Sequence, residues 1–179
     1  YGKLRRKGTL FLREYQEDMP YQQGIFIDIF PLDGIPDNYI MRSLKNFECF
    51  CVRKILWSKV GQAAEKNMLK RRWYQVLSLV PEETVWRHYR RMVIHANRKR
   101  TRKVRILTFP TPNNEYGYDR NWYENSMEFT FEGNIFLGIK DYESYLSFKF
   151  GDYRKLPPLE ERKTHPVSAI RLLNGNKVG

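Results

Sequence analysis

GIFIDIFPLDGIPDN, residues 24–38, is the stretch on which the fold of this chain depends. Its apolar run, residues 25–30, predicts a buried strand that Pro31 ends. Because side chains alternate along a strand, the isoleucines would share one face, and Asp28 would lie on the other face between two phenylalanines. The stretch therefore predicts a carboxylate in apolar surroundings, which is an arrangement that needs a physical explanation.

An unpaired carboxylate in an apolar setting costs several kcal/mol, so Asp28 needs compensation. An Arg or Lys, a set of backbone donors or a metal ion would each supply it. On the residues alone, two interpretations stay open. Asp28 is either a functional carboxylate, as metal ligand or general base, or the buried partner of an arginine such as Arg13.

The segments next to this strand have local signals of their own. Residues 8–12 predict a strand that pairs antiparallel with residues 24–30. Asp33-Gly34 is typical of a turn. Asp37 or Asn38 is a suitable N-cap for a helix to about Val60, with Gly61 as its stop.

A helical region is predicted for residues 37–100. The second helix would span residues 62–80, and its apolar residues fall at helical spacing: Leu69, Trp73, Val76, Leu77 and Val80. A third helix would begin at Pro81, with acidic residues in its first turn. The basic run RKRTRKVR, residues 98–105, leaves two interpretations open: complementing a helix dipole, or contacting phosphates or an anionic membrane surface.

The second half of the chain predicts further strands and one short helix. Residues 104–109 form an apolar strand-like run, and residues 127–139 predict a hairpin around Glu132-Gly133-Asn134. Asp141 would cap a helix that continues to Phe150. The predicted fold class is therefore α+β, with a small mixed or antiparallel sheet and a helical insertion at about residues 37–100.

Composition limits the class of protein. The chain has 179 residues, 41% apolar residues and 15% aromatic residues, which predicts a single folded domain rather than disorder. Its formal charge of +12 predicts anionic partners such as a nucleotide-linked substrate, an anionic polymer, a membrane face or nucleic acid. No apolar run reaches 18 residues, and two cysteines favour a reducing compartment, so we expect a cytoplasmic location.

Two stretches carry a family resemblance. GIFIDIFPLDGIPDN resembles the segment G-I-F-[IV]-D-I-F-P-L-D-x-[IV]-P of the LicD family. FGDYRKLPPLEERKTH, residues 150–165, resembles a second LicD pattern, roughly Y-G-D-Y-x3-P-P followed by a basic residue and a histidine. The two motifs occur in the family's order, and together with the segments between them the resemblance covers most of the chain.

The resemblance implies a fold and a function. LicD proteins are phosphocholine and related phosphosugar transferases with a nucleotidyltransferase-like fold, distantly related to fukutin. The implied reaction transfers a substituted phosphate, such as phosphocholine from CDP-choline, to a hydroxyl of a cell-surface glycan or of a teichoic acid or lipopolysaccharide precursor. The implied location is cytoplasmic, with peripheral contact at the anionic inner face of the cell membrane, and no specific nucleic acid is implied.

Residue roles follow from the resemblance by position. Asp28 and His165 would be catalytic, and Asp28 and Asp33 would be metal ligands. Arg162, Asp152 and Arg154 would bind substrate, because a guanidinium can fork onto phosphate oxygens. The alternative for the second motif is a turn whose polar residues tie down the C-terminal segment.

One departure from the family concerns the metal. LicD proteins carry an acidic D-D-D-x-D type motif before the region seen here, and no such motif occurs in this sequence. We therefore expect a single LicD-like domain, residues 1–179, that represents the C-terminal portion of a longer domain, with most Mg²⁺ ligands upstream. The alternatives are a non-catalytic binding module or pseudoenzyme and, supported only by charge, a basic nucleic-acid-binding domain.

Overall fold

The computed structural model describes residues 2–111, 113–162 and 166–173. Its strands are β1 (Gly2–Arg5), β2 (Leu10–Arg13), β3 (Phe26–Ile29), β4 (Asp33–Ile35), β5 (Lys103–Arg105), β6 (Tyr118–Asp119), β7 (Ser126–Phe131), β8 (Asn134–Ile139) and β9 (Val167–Arg171). Its α-helices are α1 (Tyr39–Leu56), α2 (Ser58–Ala64), α3 (Met68–Ser78), α4 (Glu82–Ala96) and α5 (Tyr142–Phe150). Two short 3-10 helices span Arg120–Tyr123 and Leu159–Glu161. The predicted α+β class is confirmed.

The sheets are small, and every strand pairing among the described residues is antiparallel. β1 pairs with β3, β2 with β9 and β7 with β8, while β4, β5 and β6 form one three-stranded sheet in that order. Helices α1 to α4 lie in sequence between β4 and β5. No helix among the described residues is both long and apolar enough to cross a membrane.

The chain divides into two compact units. The first unit comprises Tyr1–Pro31, Arg53–Val85 and Pro158–Gly179, and the second comprises Leu32–Val52 and Trp86–Pro157. The buried apolar side chains of the second unit come from β4, α1, α4, β5, β6 and the turn after β5: Ile35, Cys49, Val52, Met92, Val104, Leu107 and Tyr118. In the first unit, the buried apolar side chains of the described residues are Tyr74 and Val85.

Strand pairing differs from the prediction in the first unit. A strand does form near residues 8–12, as β2, but it pairs with β9 rather than with β3. The partner of β3 is β1, with Lys3 opposite Asp28 and Leu4 opposite Ile27. The predicted pairing was wrong because both partner strands were missed: β1 is a short basic segment, and β9 is distant in sequence.

The strand at residues 25–30 is confirmed as β3, but its predicted burial is wrong. Ile27 and Ile29 are 68% and 57% exposed, so the isoleucine face is not covered by the described residues. Asp28 is about one-third exposed rather than enclosed between phenylalanines. An apolar run predicts a strand, but it does not determine which side is covered.

Asp33-Gly34 was also interpreted wrongly, since both residues lie in β4 and not in a turn. Asp33 is opposite Arg105 in the ladder with β5, and both residues are buried. The ladder partner lies far along the chain, so local turn propensity gave the wrong result. The predicted strand over residues 104–109 is shorter than expected, and β5 ends at Arg105.

The helical region contains one break that was predicted at the wrong place. Asn38 caps α1 as expected, since its Oδ1 accepts from the Met41 amide at 3.1 Å. The helix then ends at Leu56, and Gly61 lies inside α2 rather than stopping a helix. A Cβ on Gly61 would lie 2.7 Å from the Tyr74 ring, so close packing explains this glycine.

The second predicted helix is in fact two elements. The structure places residues 62–64 at the end of α2 and begins α3 at Met68, with the Asn67 side chain accepting from the Lys70 amide. The polar stretch between them interrupts the helix. Most of the apolar residues that fall at helical spacing in this region are exposed: Leu69, Trp73, Val76 and Val80.

The last predicted elements are confirmed. The hairpin β7–β8 turns at Glu132-Gly133, where both residues have positive φ. Asp141 caps α5 through the Ser144 amide, and Gly151 ends it with φ of 69°. Helix α4 begins at Glu82, directly after Pro81, with Glu82 and Glu83 in its first turn as predicted, and it buries Val85 and Met92.

Candidate functional site

One face of the β1–β3 ribbon places Asp28 of the first motif beside two cations of β1. Lys3 and Asp28 are directly paired in the ladder, and so are Arg5 and Phe26. Directly opposed residues of an antiparallel pair lie on the same face. The short alternating sequence of each strand therefore places two cations, one carboxylate and one aromatic ring side by side.

Asp28 is compensated by a lysine. The Lys3 ammonium donates to Asp28 Oδ1 at 2.5 Å, and the side chains are 18% and 32% exposed. Of the three compensations considered for this carboxylate, the structure therefore supplies a basic side chain, and the proposed partner Arg13 is not that side chain. Asp28 keeps enough exposure for a ligand to reach it.

Aromatic rings hold the two cations of this face. The Lys3 ammonium lies 3.3 Å from the centroid of the Phe26 ring. The Arg5 guanidinium lies 5.0 Å from the Tyr21 ring and 5.2 Å from the Phe26 ring, and it donates to the Gly24 carbonyl at 3.2 Å. These rings already carry cations of the protein, so they do not offer an open aromatic cage for a quaternary ammonium.

Gly24, which lies just before β3, is in close contact with the backbone after β1. A Cβ at this position would lie 2.5 Å from the Arg6 carbonyl oxygen, which no side chain tolerates. Next to it, the Arg6 amide donates to the Ile25 carbonyl at 2.8 Å, and the Ile25 amide donates to Thr9 Oγ1 at 3.0 Å. The first residue of the motif is therefore needed for close contact between this segment and the end of β1.

The pKa of Lys3 reflects its position. Burial lowers the pKa of this ammonium from its ordinary value of 10.5, and the hydrogen bond and charge of Asp28 act in the opposite direction. Desolvation penalises the charged form, while a neighbouring carboxylate favours it. The desolvation effect is the larger, so Lys3 is a more easily deprotonated lysine than an exposed one.

Asp33 lies in the second unit and has a structural environment. Its side chain is buried, and Oδ1 accepts from Asn97 Nδ2 at 2.8 Å. Asn97 Oδ1 in turn accepts from the Gly34 amide at 3.1 Å. Asp33 Oδ2 is buried without a hydrogen-bond partner in the described part of the chain. Asn97 therefore ties the end of α4 to β4 through this carboxylate.

The second motif is only partly described. Asp152 pairs with Lys155 at 2.9 Å in the exposed segment after α5, and Arg154 of the same segment pairs with the exposed Glu143 of α5 at 2.6 Å. Arg162 follows the second 3-10 helix and is exposed. His165 lies outside the described residues. Within the second unit, the contacts of Asp33, Asp152 and Arg154 do not bring the three side chains together.

The basic run at residues 98–105 is divided between protein contacts and solvent. Arg100, Lys103 and Arg105 contact protein groups, whereas Arg98, Lys99 and Arg102 are exposed. Arg105 is fully buried and donates to Asn46 Oδ1 at 2.8 Å and to the Phe109 carbonyl at 3.0 Å. Arg100 forms an ion pair with Glu124 at the side of a shallow pocket of about 250 Å³ that Arg120 also lines. Arg120 donates to the Thr101 carbonyl at 2.6 Å. Part of the run is therefore structural, and the two arginines that line the pocket, Arg100 and Arg120, already have acceptors.

The described residues do not by themselves fit a Mg²⁺ site. No group of three or more His, Cys, Asp or Glu residues among them could hold a metal ion. A hard cation needs several oxygen ligands, whereas Asp28 already faces an ammonium and Asp33 offers one buried unpartnered oxygen.

Lys3 is the residue of this face that sequence reasoning missed. The signal that could have found it is the alternation Lys3-Leu4-Arg5, which matches the alternation of β3 and places the cations on the carboxylate face.

Comparison with protein-family models, curated proteins and solved structures finds no match for this chain. The resemblance to the LicD family therefore depends on the two motifs alone.

Proposed function

We propose that this chain is part of a transferase that moves a substituted phosphate, such as phosphocholine from CDP-choline, to a hydroxyl acceptor. The acceptor would be a cell-surface glycan or a teichoic acid or lipopolysaccharide precursor, handled at the inner face of the cell membrane. The observation that carries the proposal is Asp28, a partly exposed strand carboxylate within a LicD-like motif, beside two cations on the same face.

The side chains of this face have complementary roles in such a reaction. The acceptor hydroxyl oxygen would attack the phosphorus of the phosphocholine group, and the bond from phosphorus to the CMP oxygen would break, so that CMP leaves. Asp28 would accept the hydroxyl proton and pass it to water. Lys3 and Arg5 would balance the negative charge on the phosphate oxygens.

The same proposal places the metal outside the described residues. Mg²⁺ in such enzymes neutralises the phosphate and orients the attacking hydroxyl. Since the described carboxylates do not form a metal cluster, most ligands would lie upstream of residue 1. An in-frame acidic D-D-D-x-D motif in the coding sequence before Tyr1 would support the enzyme, and its absence would favour the alternative below.

A second candidate is a non-catalytic binding module. The close ion pair between Lys3 and Asp28 favours it, because the ammonium already contacts Asp28 Oδ1, the oxygen that a metal ion or an acceptor hydroxyl would need to reach. In this reading the cationic face binds a phosphorylated glycan or nucleotide without turning it over. The two candidates differ in whether CMP is released.

The test is CMP release from CDP-choline by the complete gene product, with a glycan acceptor and Mg²⁺. Replacing Asp28 by Asn should lower the rate about 10²-fold, as for loss of a positioned base. The control is Asp18→Asn, because Asp18 is an exposed carboxylate in a loop of the same unit. Wild-type turnover in folded Asp28→Asn protein would refute the catalytic role, and binding of CDP-choline without turnover would support the binding module.

A further inference from the structure

Helix α3 turns most of its apolar stripe away from the body of the first unit. Leu69 and Val76 of α3 are 77% and 64% exposed, and Leu79, which directly follows the helix, is 78% exposed. Met68, Trp73 and Val80 are also exposed. Single exposed apolar residues are normal, but a contiguous stripe of this kind marks an interaction surface.

The orientation of α3 is fixed by its opposite side. Tyr74 is buried against Gly61 of α2, and the Lys54 ammonium donates to its hydroxyl at 3.1 Å. On a helix, Leu69 and Val76 are seven residues apart and therefore lie on one side, while Tyr74 lies roughly opposite. The stripe is exposed because the helix packs through its tyrosine side.

The charges around this stripe are almost all positive. Lys66, Lys70, Arg71 and Arg72 are exposed, and Glu65 is the acidic residue of this stretch before Ser78. Trp73 lies at the side of the stripe. An exposed apolar face with cations and an interfacial tryptophan is the pattern of helices that lie in a lipid headgroup layer.

We propose that α3 is a docking surface for an anionic membrane, with its apolar stripe in the headgroup layer and its cations on lipid phosphates. The positive charge around the stripe favours an anionic membrane over a second copy of the chain as the binding partner. A second copy of the chain on the same face would bring the two sets of cations together, whereas an anionic lipid surface complements both the charge and the apolar stripe. The proposal does not rest on transferase activity, although a lipid-linked acceptor would be met at the same surface.

The test is co-sedimentation of the whole chain with vesicles of phosphatidylcholine, with and without phosphatidylglycerol, at physiological ionic strength. Wild-type protein should bind the anionic vesicles about tenfold more tightly than the neutral ones, because surface cations are attracted to anionic lipid. Leu69→Gln with Val76→Gln should lower binding to anionic vesicles about tenfold by removing buried apolar area. The matched control is Leu137→Gln, since Leu137 is 74% exposed on β8.

The contribution of the α3 cations to vesicle binding is tested by comparing two pairs of arginine substitutions. Arg71→Gln with Arg72→Gln should lower binding to anionic vesicles about tenfold, whereas Arg90→Gln with Arg91→Gln, an exposed pair on α4, should leave it unchanged. The changes are at exposed positions, so circular dichroism should show every variant folded. Equal loss for both arginine pairs would refute a dedicated surface, and so would absence of wild-type binding. Dimerisation without vesicles that Leu69→Gln with Val76→Gln abolishes would assign the stripe to a second copy.

Discussion

At the scale of single residues, the pair formed by Lys3 and Asp28 is the most informative interaction of the first unit. Both side chains keep some exposure, so their attraction is screened by water and the pair resembles a surface ion pair more than a buried one. Asp28→Asn should therefore lower the free energy of unfolding by about 1 kcal/mol rather than the about 3–5 kcal/mol of a broken buried pair.

Chemical denaturation of wild type, Asp28→Asn, Lys3→Met and the double variant measures this coupling directly. A loss near the buried-pair range would mean that Asp28 is mainly structural. A small loss of stability together with a large loss of CMP release is the combination that the transferase proposal expects.

The lowered pKa of Lys3 predicts a pH effect with a definite sign. Because the folded chain holds this proton more weakly than the unfolded chain, the unfolded state binds more protons between the folded pKa and 10.5. The contribution of Lys3 to stability should therefore rise with pH across that window. Asp28→Asn should lower the pKa of Lys3 further, since the carboxylate opposes the shift.

Titration of the lysine side-chain resonances by NMR measures this pKa. The difference in unfolding free energy between wild type and Lys3→Met, measured as a function of pH, isolates the contribution of Lys3 to stability. Lys7→Met is the control, because Lys7 is an exposed lysine. A Lys3 pKa at or above 10.5 would contradict the burial that the structure gives this side chain.

Asn97 supports the other motif carboxylate. Its amide satisfies Asp33 Oδ1 and the Gly34 amide, while Asp33 Oδ2 is already buried without a hydrogen bond among the described residues. Asn97→Ala would leave a buried carboxylate with less compensation, so it should cost about 1–3 kcal/mol of unfolding free energy. Thermal melting against Asn114→Ala, an exposed loop asparagine, checks this. An unchanged melting temperature would mean that water replaces the amide.

At the scale of elements, Gly61 determines how α2 packs on α3. A Cβ there would meet the Tyr74 ring at 2.7 Å, so Gly61→Ala should overpack the contact by about 1–3 kcal/mol, offset by about 1 kcal/mol of helix propensity. Tyr74→Leu should cost less stability in the Gly61→Ala background than in wild type, because a smaller side chain relieves the clash. Additive losses in urea denaturation would place the Tyr74 ring elsewhere.

The elements that sequence predicted correctly have strong local signals. The β7–β8 hairpin follows from Glu132-Gly133, α5 follows from Asp141 and Gly151, and β3 follows from its apolar run. The errors share a non-local cause. β4 forms because it pairs with β5, where Asp33 lies opposite Arg105, a residue far along the chain. Helix α3 packs on α2 through Tyr74 and Gly61 rather than through its apolar stripe.

The same distinction between local and non-local signals applies to the candidate site. Asp28 on a strand was predicted correctly, because a local pattern determines the strand and its alternation. Its lysine partner was not predicted, because a ladder between β1 and β3 is a tertiary choice that no single segment contains. The functional roles of Asp33, Asp152, Arg154, Arg162 and His165 stay predictions.

At the scale of the whole molecule, the charge of +12 determines which classes of partner are attracted, but not which partner is bound specifically. The ion pairs of Arg100 with Glu124 and of Arg154 with Glu143 engage individual cations, but they leave the net charge unchanged because it already counts the carboxylates. The exposed cations of α3 are placed beside apolar side chains, which suits a lipid surface better than a phosphate backbone.

Nucleic acid is the remaining anionic partner, and it gives the last prediction. Since only Arg98, Lys99 and Arg102 of the run at residues 98–105 are exposed without a side-chain contact described above, we expect weak, sequence-independent binding that involves about four phosphates. Affinity should then fall about 10²-fold between low and physiological salt, since counterion release scales with the phosphates contacted. Fluorescence anisotropy with two unrelated duplexes and one single strand over a salt series measures the slope. A sub-micromolar complex at physiological salt with one sequence preferred over the others would replace the transferase proposal by a nucleic-acid-binding function.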